Sequence, residues 1–209
     1  MIVCLDACFT QKHRKSQGHA WNEPHIHPET VFIPTAEVKE VEEMVESVRP
    51  IPKKAEKQKG KSPQKPSYAE SQEPAFEPGM CVPTAVLNEC NDSFVAADER
   101  RIKASTLFFS DTGLMALICR HNRVLWLVNM TSAGEKQHYA LCLLQKLFSY
   151  IPVTMRVGIL YDIGCQLVRS CFKYGFLSSF LHCLIFGISV FSCIWSSMAL
   201  SDHLPPSKM

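Results

Sequence analysis

Two apolar runs near opposite ends of the chain, "MIVCLDACF" at 1–9 and "MRVGILYD" at 155–162, each carry one aspartate, Asp6 and Asp162. A carboxylate in or at the mouth of a buried strand costs free energy unless it caps a helix or belongs to a site. The segments between the two runs bear on that choice. "GLMALICRHNRVLWLVNM", 113–130, is two apolar runs joined by the polar turn Arg120 to Arg123, the pattern of a β-hairpin. "SAGEKQHYALCLLQKLFSYIP", 132–152, sets Ala140, Leu143, Leu144, Leu147, Phe148 and Ile151 on one helical face. Ser132 and Glu135 have the spacing of a capping box, and Pro152 closes the segment. A strand ending at Asp162 follows, then a helical stretch from Cys165 to about Tyr174.

Strand, hairpin, helix, strand is the element order of the ribonuclease-H-like α/β fold, a mixed sheet with flanking helices. The helix after the hairpin makes a crossover, and such crossovers lay the last strand parallel beside the first. Asp6 and Asp162 are then expected as neighbours. Two carboxylates so placed suit hard divalent cations, Mg²⁺ or Mn²⁺, which stabilise the attacking and leaving oxygens of phosphoryl transfer. The competing reading makes Asp162 an N-cap for a helix whose first turn is Ile163 to Gln166.

Composition divides the 209 residues further. Residues 1–49 hold the first strand, a polar loop and an amphipathic helix over 36–48, with Val38, Val41, Val45 and Val48 at helical spacing. Pro50 and Pro52 stop that helix. Residues 50–79 are dominated by Pro, Lys, Glu, Gln and Ser, and are expected to be a disordered insert; Lys53 to Lys65 have the composition of either a nuclear localisation patch or a solvated tether. Residues 80–177 hold the rest of the core, and 178–209 form a divergent apolar tail. The stretch from Phe176 to Leu200 has no Lys, Arg, Asp or Glu and is long enough for a membrane helix. A net charge of +2 excludes a global argument for a polyanionic partner, so nucleic-acid contact needs local patches. The N-terminus has its basic cluster after the apolar run, the wrong order for a secretory signal, so the ten cysteines are read as reduced and the protein as intracellular.

"CLDACFTQKHRK", "CVPTAVLNECNDSFVAADERRIKAS", "FSDTGLMALICRHNRVLWLVNMTSAGEKQHYALCLLQKLF" and "VGILYDIGCQLVRSC" resemble, segment by segment, the Kyakuja-Dileera-Zisupton (KDZ) transposases. The likeness runs from Ile2 to about Leu177, apart from the insert. It implies a ribonuclease-H-like catalytic domain with an acidic triad, in which Asp6 is the first acid and Asp162 the second. DNA, at transposon ends, is the implied partner, and the nucleus the implied compartment. Family members carry a third acid well downstream, but here no Glu follows Glu135, and Asp202 lies in a Pro-containing tail. A truncated, catalytically incomplete copy is therefore expected. The alternatives are a non-catalytic DNA-binding or interaction remnant and a membrane-associated protein anchored through residues 176–200.

Other constellations are weaker. Cys81, Cys90, Cys119 and His121 form a candidate zinc quartet, although no C-x-x-C pair occurs and Cys119 ends an apolar run. His19, His25 and His27 share a Pro-rich loop that fixes no facial geometry, which favours surface histidines over a metal site. "QKHRK", following the strand of Asp6, offers Lys12, Arg14 and Lys15 to DNA phosphates, or is an ordinary solvated charge run. Arg100, Arg101 and Lys103 follow Asp98 and Glu99 and are neutralised locally. Cys165 has no sequence feature placing a base beside it.

Overall fold

The computed structural model describes residues 1–14, 28, 30–49, 74–92, 108–132 and 134–187. Strand β1 (Ile2–Cys8) alternates as the sequence requires: Val3 and Leu5 are buried while Cys4, Asp6 and Cys8 take the opposite face. The hairpin forms as β4 (Gly113–Cys119) and β5 (Val124–Met130). Its turn puts Asn122 at φ 58, a left-handed position that asparagine tolerates better than most side chains.

Strand β6 (Val157–Leu160) lies parallel to β1, and β7 (Leu184–Gly187) lies parallel to β6. The sheet order is β5-β4-β1-β6-β7, with β4 antiparallel to both β1 and β5. A small ribbon, β2 (His13–Arg14) with β3 (Phe109–Asp111), forms a second sheet.

Helices α1 (Thr35–Val48), α3 (Gln137–Tyr150) and α4 (Gly164–Tyr174) share one core with Val3, Leu5, Met115, Leu117, Val128, Met130, Val157 and Ile159. Helix α1 buries Val38, Val41 and Val45, but Val48 is exposed at its C-terminal end. Helix α3 buries its expected face and also His138, Tyr139, Leu141 and Cys142, because α1 covers it as well. Full burial of each such leucine contributes about 1.5–3 kcal/mol. Gly175 ends α4 at φ 74, where a left-handed turn favours glycine.

Several boundaries differ from the sequence reading. The capping box is not used: α3 begins at Gln137, with Lys136 at its cap and no side-chain cap bond. Ser132 Oγ instead meets the Tyr139 hydroxyl at 2.8 Å, and Glu135 is buried. The composition that marks 50–79 as one insert does not hold to its end. Within it, Phe76 bridges to Pro83, the Thr84 amide donates to the Ala75 carbonyl at 2.9 Å, and Arg169 grips the Glu77 carboxylate. The rest of the insert, 50–73, lies outside the described residues.

A helix α2 (84–92), unforeseen from the pattern, is anchored by Leu87, whose side chain is fully buried and whose carbonyl accepts from Gln166 Nε2 at 2.6 Å. The apolar stretch from Phe176 begins with turns and a 3-10 turn (Leu181–Cys183) and enters the sheet as β7 rather than forming a helix. Strand pairing with β6 satisfies its backbone there. Its remainder, with the tail from residue 188, is outside the described residues. Among those described, no helix is long and apolar enough to cross a membrane.

Candidate active site

Asp6 lies on the central strand, opposite Ala116 of β4. On the other side β1 runs parallel to β6, with Ile2 beside Gly158, Val3 beside Ile159 and Cys4 beside Leu160. Asp6 lies two residues past Cys4 on β1 and Asp162 two residues past Leu160, in the turn after β6, so both stand at the same end of the paired strands. Both are exposed. Each turns one carboxylate oxygen onto the next backbone amide: Asp6 Oδ1 accepts from Ala7 at 2.9 Å, and Asp162 Oδ1 accepts from Ile163 at 2.8 Å. Asp162 is not the N-cap of α4, a position held by Ile163.

The thiol of Cys4, on the same face of β1 as Asp6, registers both carboxylates. Burial pushes its pKa up, and the negative charges of Asp6 and Asp162 push it further. Tyr161, 2 % exposed, lies between Leu160 and Asp162, and its hydroxyl donates to Glu135 Oε1 at 2.8 Å. Its pKa is raised by burial first, then by Glu135, and further by Asp162 and Asp6. Three carboxylates thus concentrate negative potential at the end of the sheet where β1 and β6 finish. Cys8, at the exposed end of β1, has its pKa lowered, chiefly by the Thr10 hydroxyl at 3.1 Å from its sulfur.

The other sequence candidates separate. Cys119 Sγ and His121 Nδ1 are 3.9 Å apart, whereas Cys90 neighbours Cys165. Cys81 is exposed, and among the described residues no three His, Cys, Asp or Glu side chains gather as metal ligands. Cys165 is buried, with its thiol pushed up to about 11 by burial and by Cys90, the opposite of an activated nucleophile. Lys12 stands over the Phe109 ring at 5.4 Å, and Arg14 is exposed on β2, cross-strand from Phe109. Between them His13 Nδ1 lies 3.0 Å from Ser110 Oγ and 3.7 Å from Asp111. This ribbon follows directly on β1. Lys15, His19, His25, His27, Arg100, Arg101, Lys103 and Asp202 lie outside the described residues.

The residue that sequence reasoning misplaced is Glu135. A signal existed: Tyr161 is a polar aromatic directly after the apolar strand β6, and a buried tyrosine hydroxyl requires a partner.

The family model for the Kyakuja-Dileera-Zisupton transposase matches residues 1–193. The chain belongs to the KDZ transposase family. The matched span covers both aspartates, Glu135, the β2–β3 ribbon and β7, so β7 lies inside the KDZ match rather than in a divergent tail. No curated protein and no solved structure matches the chain.

Proposed function

We propose that this chain is a DNA-transposase fragment with a ribonuclease-H-like core, in which Asp6 and Asp162 hold one divalent cation. The observation carrying the reading is the parallel β1–β6 register, which brings residues 6 and 162 to the same end of neighbouring strands. The sheet order supports the fold reading: two antiparallel strands on one side of a central β1 and two parallel strands on the other.

The donor set fits the ion. Both groups are exposed carboxylates, and Mg²⁺ is commonly held by one or two carboxylates with waters and substrate phosphates in the remaining positions. Held there, such an ion would supply Lewis-acid polarisation of a phosphoryl oxygen. Asp6 and Asp162 hold and orient it, and Lys12 and Arg14, on the ribbon after β1, take the DNA phosphates. A two-ion site needs a further acid, and among the described residues none joins the pair as a metal-holding group. We read the chain as binding metal and DNA without strand cleavage, in the nucleus where transposon ends are met.

Calorimetric titration of Mn²⁺ into wild type, Asp6→Asn and Asp162→Asn tests it. Saturable heat in wild type that disappears in both variants is expected, with no nuclease activity. Identical heats in all three proteins end the metal assignment.

The second reading, a DNA-binding remnant without metal, draws on Lys12 and Arg14. Phosphate-driven affinity falls steeply with salt, so a flat affinity between low and moderate salt removes it.

A further inference from the structure

The two carboxylates are not held alike. Asp6 lies inside β1, in the ladder that pairs it with Ala116 of β4, two residues past the last β1–β6 pair, Cys4 with Leu160. Asp162 lies beyond Leu160, the last residue of β6, in the turn that leads into α4. A carboxylate past the end of its strand needs another anchor to keep a fixed direction, and the residue before it supplies one.

Tyr161 is pinned at three points. Its amide donates to the Gly187 carbonyl at 3.1 Å, and its own carbonyl accepts from the Gly164 amide at 3.1 Å. Its hydroxyl crosses the core to Glu135 Oε1 at 2.8 Å. Glu135, 6 % exposed, sits just ahead of α3, a helix buried on nearly every side. The hydroxyl therefore ties the turn carrying Asp162 to the buried segment that leads into α3.

We infer that Tyr161, held by the Glu135 carboxylate, is a positioning residue that fixes the direction of Asp162 for cation binding. The inference rests on the metal reading above for its purpose, but the anchoring is measurable without metal. Glu135 acts here through Tyr161 and is not itself assigned as a ligand.

The test uses Tyr161→Phe, which keeps the ring in the core and deletes only the hydroxyl. Tyr139→Phe is the control for a merely structural loss: that hydroxyl accepts the Thr131 and Ser132 amides at 2.9 and 3.0 Å. Glu135→Gln retains an acceptor oxygen for the phenol, and Glu135→Ala does not. Two readouts are taken on the full chain: hydrogen exchange at the Ile163 amide, which donates to Asp162, in metal-free protein; and Mn²⁺ affinity by calorimetry.

Tyr161→Phe and Glu135→Ala should lose Ile163 protection and weaken Mn²⁺ by about tenfold, the usual effect of removing a group that orients a ligand. Tyr139→Phe and Glu135→Gln should leave both near wild type. Ile163 protection in Tyr161→Phe equal to that of Tyr139→Phe overturns the inference. If wild type binds no Mn²⁺, the metal reading fails, while the exchange comparison still decides whether Tyr161 holds Asp162 in place.

Discussion

Acidification from pH 7.5 to pH 5 should weaken the fold through His138. This imidazole, 4 % exposed on α3, faces α1, with Nδ1 3.8 Å from Glu42 Oε1 and no partner for Nε2. That separation is too long for a hydrogen bond, so Glu42 does little to stabilise the charged ring. Burial is the largest influence and disfavours the cation; Lys136 and Arg49 add to it, and Glu46 opposes it. The result is a pKa of about 4, against 6.5 for an ordinary histidine.

The sign follows from proton counting. Between pH 6.5 and pH 4 the unfolded chain binds a proton that the folded chain refuses, so stability is full above the upper value and falls as pH drops through the window. At pH 5 the linkage relation with these two pKa values amounts to about 2 kcal/mol relative to pH 7.5. Urea unfolding followed by circular dichroism, at both pH values, measures the loss in wild type and in His138→Phe. The variant keeps an aromatic ring between the helices but cannot titrate, so its pH difference should be smaller by about 2 kcal/mol. Equal pH dependence in the two proteins would refute the reasoning.

Other outcomes are equally specific. Gly113→Ala should destabilise by about 1–3 kcal/mol in the same urea assay, a typical overpacking cost. A Cβ there would lie 2.6 Å from the Cys8 carbonyl oxygen, which is backbone and cannot swing aside. Iodoacetamide at neutral pH, followed by peptide mass mapping, should modify Cys8 before Cys4, Cys142, Cys165 or Cys171. Cys8 is exposed with a lowered pKa, whereas burial raises Cys4 and holds Cys142 and Cys171 at about 12. Labelling of Cys142 at the rate of Cys8 would mean that α3 is not packed as described.

What the sequence made legible is what local pattern encodes. Alternation of Val3 and Leu5 with Cys4 and Asp6 gave a strand with one face for the core, and the valine spacing gave α1. The hairpin announced itself through its polar turn. Strand β7 did not, because "LIFG" in a run without charges reads equally as helix until β6 is seen beside it. Helix α2 was hidden because one fully buried leucine, Leu87, together with a hydrogen bond from Gln166, holds it, and neither leaves a periodic trace.

The parallel pairing of β1 with β6, which puts Asp6 and Asp162 at the same end of the sheet, was readable from element order. The fate of Glu135 was not: its spacing from Ser132 fits a local cap, and only the distant phenol of Tyr161 gives it a different partner. The zinc quartet failed to gather for the converse reason. Residue type and rough proximity in sequence suggested it, but Cys119 belongs to β4 while Cys90 is drawn to Cys165 at the head of α4.

The position of β1 has a consequence for biosynthesis. The strand that precedes all the other described strands in the chain occupies the middle of the sheet, and Val3 must wait for Cys119 on one side and Ile159 on the other. Such long-range pairings slow folding, and until they form "IVCLDAC" is an unsatisfied, aggregation-prone ribbon. Any nascent chain stopped before residue 157 therefore emerges with its central strand half paired, a natural client for chaperones.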